Sequence, residues 1–446
     1  MSMRTPLCAA AVLLSAMAFA GAEEPSKPAA ETATAAAASP AFKETPQSME
    51  ARSAALQLVR EALVKWSGQD ARGALELFNK AVDTAPNDPL ILWMRGDFFR
   101  GAVERTKDTP EGRDLAERLK KAAANDYHAA VAAAPDSMAA ADSLDSLEAL
   151  RGRDLFPETP LLCPPEDVDA VRRAQRLVAE QKYEEAKALF RDAADRCPNS
   201  APLWVSFGDA FFAAGDFAMA KTIFARAVEA DPWNRQAARF LADAERKLGN
   251  ADEALRADAL AVLGNPTLEH AWARLRDDAS AAGRDCLRRR ARLPEVKKSA
   301  AQNGGKATVS IGLPFAMGNA GEEGDGALFF AYALGMGSAV ADADKAASGE
   351  TTKVGTPATP LEIKRANVLF VLKAMNAKPK ANAPFWSLMQ RAEKAGYLDE
   401  AIFLHMLGED LVPEYKAFRE RSRDRLMAYL LTVVVPARSA PAAAKP

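Results

Sequence analysis

Ala201 to Pro232 reads APLWVSFGDAFFAAGDFAMAKTIFARAVEADP, with large and small residues placed as two packed antiparallel helices require. Trp204, Phe207 and Phe211 form the apolar stripe of a first helix, and Gly208 is the small residue on that face where a partner helix must come close. Gly215 and Asp216 stop this helix and turn the chain. Ala220, Phe224 and Ala227 repeat the small-large-small pattern on a second helix, and Pro232 ends it.

Over one 34-residue unit this order of Trp, Gly, Phe, then Ala, Phe, Ala and Pro resembles the tetratricopeptide repeat. Carried outward, the frame finds Ala186, Phe190, Ala193 and Pro198 upstream, and Ala254, Ala261 and Pro266 downstream. In the downstream unit Glu245 and Asp258 stand where large apolar residues are expected, so Phe240, Leu241, Leu248, Leu255 and Leu260 are expected to supply its core. Ala74, Phe78, Ala81 and Pro86 mark a first unit. Leu92, Gly96 and Phe99, then Ala123, Tyr127, Ala130 and Pro135, mark another with about 15 extra residues around Thr106 to Asp114. The resemblance implies an all-α fold, a right-handed superhelical array of helix pairs over about 52–282, followed by a C-terminal helical region. One helix pair cannot bury its own stripe, so neighbours must stack.

Two groups of units result, residues 52–135 and 166–282, the latter closed by a helix carrying Leu268, Ala271, Trp272 and Leu275. Residues 136–165 connect them through a short helical run and a proline-rich crossing. Met1 to Ala22 reads as a secretory signal, with Arg4 before a short apolar core that is too brief to span a bilayer. Residues 23–48 and 437–446, rich in Ala and Pro, bury too little to offset ordering entropy and read as disordered. The expectation is an exported chain, periplasmic or associated with the cell envelope. A formal net charge of −2 argues against nucleic acid as a partner, and no later run is long and apolar enough for a transmembrane helix. Oligomeric state is left open.

Beyond Ala282 the frame is lost. Arg284 to Lys298 is strongly basic and reads as a solvated helix end, or else as an anion-binding strip. Lys306 to Phe315 alternates weakly, as a short extended segment would, and the glycine-rich run from Gly318 to Gly326 lacks the Lys-Ser or Lys-Thr of a phosphate loop. Residues 283–436 otherwise read as amphipathic helices, one from Ala327 to Val340 and others beginning near Pro360, Phe385, Leu398 and Pro413.

The residues of catalysis are scattered. His128 and His270 have no second ligand one turn away, and the His405 and Glu409 pair is interrupted by Gly408. Glu409, Asp410 and Glu414 cluster at a helix start, where carboxylates serve the helix dipole. No catalytic residue, metal or cofactor is assigned, and the chain is expected not to be an enzyme.

In the tetratricopeptide family the inner helices line a concave groove that takes peptides. The resemblance places Trp93, Val171, Gln175, Val178, Val205, Asp209, Phe212, Arg239, Asp243 and Arg246 there. Asp97, Gln175, Asp209 and Asp243 fill the position where some members use Asn to hold a C-terminal carboxylate, so a free carboxylate is not the implied central ligand. The leading expectation is a scaffold binding a protein or peptide partner in cell-envelope assembly or secretion. The alternative is an enzyme or ligand-binding protein whose site lies in the C-terminal helical region, with the repeats as docking arm; convergence of Trp386, His405, Glu409 and Asp410 on one pocket would favour it. In the repeat frame Cys163 and Cys197 sit at neighbouring ends of one helix pair. An exported chain then has two options: a bridge leaving Cys286 reduced, or three unpaired thiols.

Overall fold

In a computed structural model of the chain, the residues described are 42 and 44–438, apart from 107, 153–154, 158, 162, 289–294, 300–307, 313–327, 337–358 and 378–382. The expected signal segment 1–22 and the glycine-rich run lie outside them. The fold is all-α with one small antiparallel ribbon. The first group comprises α1 (Pro46–Ser67), α2 (Ala71–Thr84), α3 (Pro89–Val103), α4 (Pro110–Ala133) and α5 (Met138–Leu150). The second comprises α6 (Pro165–Ala179), α7 (Tyr183–Arg196), α8 (Ala201–Ala213), α9 (Phe217–Ala230), α10 (Arg235–Lys247), α11 (Ala251–Gly264) and α12 (Glu269–Ala281). β1 (Glu295–Ser299) pairs antiparallel with β2 (Thr308–Gly312). The C-terminal helices are α13 (residues 328–336), α14 (Pro360–Ala377), α15 (Pro384–Lys394), α16 (Leu398–His405) and α17 (Val412–Tyr429), the last running into a π-helical turn at Leu430–Val434.

One turn, repeated, builds the helix pairs. Residue 15 of the repeat is left-handed: Gly215 at φ 82°, Gly249 at 81°, and Gln69 and Gln181 at 65° and 62°. The next amide then reaches back to the carbonyl of residue 11, as Asp216 does to Phe211 at 3.0 Å and Lys182 to Leu177 at 2.8 Å. Arg284 to Ala279 after α12 and Tyr397 to Ala392 after α15 make the same bond at 2.8 Å. Thus α15 and α16 form a repeat-like pair, with Gly396 at the left-handed position at φ 77°. Within each pair the close approach is literal, since a Cβ on Gly96 would lie 2.7 Å from Cε1 of Tyr127. Trp204 and Trp272, two repeat lengths apart, donate their indole N–H to Pro198 and Pro266 carbonyls at 2.6 and 2.8 Å.

Several boundaries differ from expectation. The extra residues of the second unit do lengthen a helix, α4, which is capped by Thr109. The segment expected to be disordered to residue 48 ends sooner, because Thr45 and Ser48 form a capping box that starts α1 at Pro46. Phe42 is already placed, donating its amide to Ala133 at 2.7 Å. At the other end Ala437 pairs with Arg284, and the Arg438 guanidinium meets Asp285 at 3.1 Å. The basic stretch after Ala282 is not a helix end: residues 285–288 are extended and β1 follows. Arg288 is clasped by both oxygens of Glu269, at 2.6 and 2.7 Å. In the last repeat Leu255 is buried, Phe240, Leu241 and Leu260 are half-buried, and Leu248 is exposed.

The two groups meet in an order that chain sequence does not suggest. α5 packs on α12, at the far end of the second group, rather than on α6. The N-cap of α12 is Leu268, which has no side-chain acceptor. Asp145 of α5 supplies one, taking the amides of Glu269 and His270 at 2.7 and 2.9 Å. His270 Nδ1 lies 2.8 Å from Asp142, and Arg276 donates to the Asp136 carbonyl at 2.7 Å. The crossing segment then runs back along the second group, where Phe156 is buried against α11 and α17 and accepts from Arg235 at 2.6 Å. The largest core joins Leu255, Leu263, Trp272 and Leu275 of the last repeats to Trp386, Phe403, Tyr415 and Tyr429 of the C-terminal helices.

Candidate protein-binding face

The first helices of the second group, α6, α8, α10 and α12, lie side by side, with α8 touching both α6 and α10. Of the residues expected on this face, Val171 and Val205 are not available: they are 1% and 5% exposed. Val171 sits in the core of Leu203 and Phe207, and Val205 packs with Ala227, Ala237 and Phe240. Adjacent first helices pack closely enough to cover a β-branched side chain there, so these two serve helix stacking. Trp93 is likewise half-buried in the first group, against the cluster of Tyr127 and Leu147.

The remaining residues form a strip. Gln175 is exposed on α6 and donates to Ser206 of α8 at 3.1 Å. Val178 and Phe212 are half-buried, and the Phe212 ring packs edge-on against Phe217 with centroids 5.0 Å apart. Asp209 is exposed and faces Arg239, whose charge favours its ionised form. Arg239 itself lies over the Phe240 ring at 4.5 Å.

At the α10 end the strip becomes a charge network built where the repeat frame expects large apolar residues. Asp258 replaces a repeat aromatic and is fully buried. Arg246 reaches it at 3.0 Å and Arg274 at 3.1 Å, while Arg246 also binds Asp278 at 2.8 Å and Asp243 at 2.6 Å. Arg274 closes the ring on Asp243 at 2.9 Å. Burial holds Asp258 well above the carboxylate range against the pull of Arg274, and the facing Asp278 adds to the rise. Two guanidiniums thus stand among three carboxylates. Glu245, also at an aromatic position, is satisfied by Lys221 at 3.0 Å and Asn250 at 2.7 Å. Asp243 and Arg246 are therefore committed to holding α10, α11 and α12 together, and the signal for this was the pair of acids in place of aromatics.

The C-terminal candidates disperse. Trp386 is buried among Phe329, Tyr332 and Phe385. His405 lies against Trp272 and meets the Tyr429 hydroxyl at 2.9 Å. Asp410 binds Lys364 at 3.0 Å, and Glu414 accepts from the Leu361 amide at 3.2 Å. Glu409 is exposed in the same 3-10 turn as Asp410, and His128 is exposed on α4. Among the described residues no three His, Cys, Asp or Glu side chains are grouped as a metal site, and no helix is long and apolar enough to cross a membrane.

Residues 177–232 match the tetratricopeptide repeat family model. Residues 177–232 thus carry a tetratricopeptide repeat, and the same turn and packed helix pairs recur through the second group. The chain is also similar to several solved structures. The first repeat domain of Spaghetti (RPAP3), bound to an HSP90 peptide, is 19% identical, covering 28% of this chain and 98% of that one at a TM-score of 0.25. The repeat protein TTC0263 of Thermus thermophilus is 20% identical, covering 51% and 98% at 0.21. PilW, a type IV pilus biogenesis factor, is 15% identical, covering 49% and 97% at 0.23. No curated protein matches the chain.

Proposed function

We propose that this protein is an exported, non-enzymatic scaffold that holds a segment of a protein partner along the first-helix face of its second repeat group, in cell-envelope assembly or secretion. The observation that carries the reading is the strip of Gln175, Ser206, Asp209, Phe212 and Arg239, whose polar groups stay on a surface where each repeat's own packing needs only small and apolar residues. A row of donors and acceptors flanked by half-buried apolar carbon suits an extended or helical peptide segment. Export is supported by the leader-like Met1 to Ala22 and by the bond between Cys163 and Cys197, a pairing that needs an oxidising compartment.

The test is affinity capture from cell envelopes with mature wild-type protein and with Asp209→Arg and Gln175→Glu, both exposed positions. Loss of the captured partner with an unchanged melting transition is expected. Undiminished capture by both variants rejects the face, and capture only from cytoplasmic extract rejects the envelope reading.

A further inference from the structure

We propose that α1 is a self-association face, on which a second copy of this chain packs its own α1, antiparallel and related by a two-fold axis near Leu56. A stacked helical array leaves an apolar surface at each end that must be covered. Here α1 packs on α2 and α3, and among the described residues no helix precedes it to cover its outer side.

That side carries apolar residues in a line. Met49, Leu56 and Leu63 recur every seven residues, about two helical turns, so they stand one above another. Met49 is 56% exposed, Leu63 36% and the adjoining Val64 72%, while Leu56 is half-buried. Ala55, Val59, Ala62 and Trp66, which α1 buries in its own array, lie on a separate face. Residues 23–41 hold only Glu, Pro, Ser, Lys, Ala and Thr, so once a leader is removed the chain ahead of α1 brings no large apolar side chain to the line.

Charge decides what covers it. Glu50 is exposed with no ion-pair partner among the described residues, and Arg60, also exposed, donates to the neutral Gln57 at 3.1 Å. Both lie on the same side of the line, near opposite ends. An antiparallel copy centred on Leu56 sets Met49 against Leu63 and Leu56 against Leu56, and brings Glu50 beside Arg60 at both ends. A parallel copy would set Glu50 against Glu50 and Arg60 against Arg60, and like charges oppose association. The line is thus complementary to its own reverse, as an isologous two-fold interface requires. None of these residues belongs to the proposed protein-binding face, and the two readings stand or fall separately.

Sedimentation equilibrium of the full mature chain tests the proposal. A monomer–dimer equilibrium is expected with a dissociation constant of about 1 to 100 µM, because a single helix face offers less area than a tight interface. Leu63→Glu should weaken the dimer about tenfold or more, by placing a charge in the apolar line, and leave the melting midpoint of dilute protein unchanged. Glu50→Arg and Arg60→Glu should each weaken it, whereas the two together should restore it, since the charges have exchanged places. A chain that stays monomeric up to about 300 µM, a dimer indifferent to Leu63→Glu, or no recovery in the double exchange overturns the proposal. A monomer that loses its captured envelope partner on Leu63→Glu gives the line to a different protein and overturns it as well.

Discussion

Phe224 lies against Gly208 so closely that a Cβ on the glycine would stand 2.4 Å from ring Cε1. The ring is fully buried and the backbone of α8 fits around it. Gly208→Ala therefore forces the ring or the helix to move and should cost about 1 to 3 kcal/mol. Phe224→Ala leaves the opposite fault, a cavity, and should cost about 3 to 5 kcal/mol. Denaturant unfolding measures both, and a neutral Gly208→Ala would contradict the packing described.

Gln181 occupies the left-handed position that Gly215 and Gly249 take in the next two repeats. A Cβ makes that conformation unfavourable by about 1 to 2 kcal/mol. Gln181→Gly should relieve the strain, but the freer unfolded chain takes back about 0.4 to 1 kcal/mol, so a net gain between about 0 and 1.6 kcal/mol is expected. The opposite exchange, Gly215→Gln, should destabilise. Equal melting midpoints for both variants and wild type would refute the repeated-turn argument.

The bond from Cys163 to Cys197 joins residues whose Cα atoms are 5.9 Å apart and closes a loop of sequence separation 34. The chain-entropy model gives it about 3 to 4 kcal/mol. Thiol titration of denatured mature protein should find one reactive group per chain, from Cys286. Three would show that the pair is unbonded in solution. Reduction should lower the melting midpoint, as should Cys163→Ser with Cys197→Ser.

Asp145, capping α12 from α5, is pushed up to about 7 by burial, although two backbone N–H donors oppose the shift. Its folded pKa exceeds the ordinary 3.8, so the stability it contributes is full below pH 4 and is lost as pH rises through 7. His405 acts in the other direction. Burial, and then the Arg288 charge, lower it from 6.5 to about 3. The neutral ring's contribution is therefore present above pH 6.5 and lost as pH falls toward 3. Melting curves of Asp145→Asn should show a shallower decline between pH 4 and 7, the part due to Asp258 remaining, whereas His405→Phe should weaken the acid-side decline. Asp145→Ala should cost about 1 to 2 kcal/mol as a lost cap. A pH profile identical in all three proteins would rule out both assignments.

The repeats were readable wherever the chemistry is local. Ala, Phe, Ala and Pro at fixed spacing report a helix pair because the spacing itself sets which residues touch, as Phe224 and Gly208 do. The pair α15 and α16 escaped that reading. It keeps the turn, with the Tyr397 amide on the Ala392 carbonyl, but places His405 and Gly408 where Phe and Ala would stand. Only Gly396 at the turn, Ala401 and Pro413 keep the repeat's residue types there, too few to carry the frame on their own. On the candidate face, Gln175, Asp209 and Phe212 were legible as outward positions, whereas Val171 and Val205 were not legible as buried, because their burial depends on how near the next first helix lies.

What the sequence determined by itself is the helical period, the turn residues and the small-large pairing, all interactions within one or two repeats. Tertiary structure alone decided that α5 meets α12, that Asp145 caps a helix beginning 124 residues later, and that Asp258 survives burial. The physical reason is range. A helix terminus accepts a cap from any carboxylate brought to it, and a buried Asp is tolerated wherever two arginines converge, so neither partner leaves a mark at a fixed spacing in the chain.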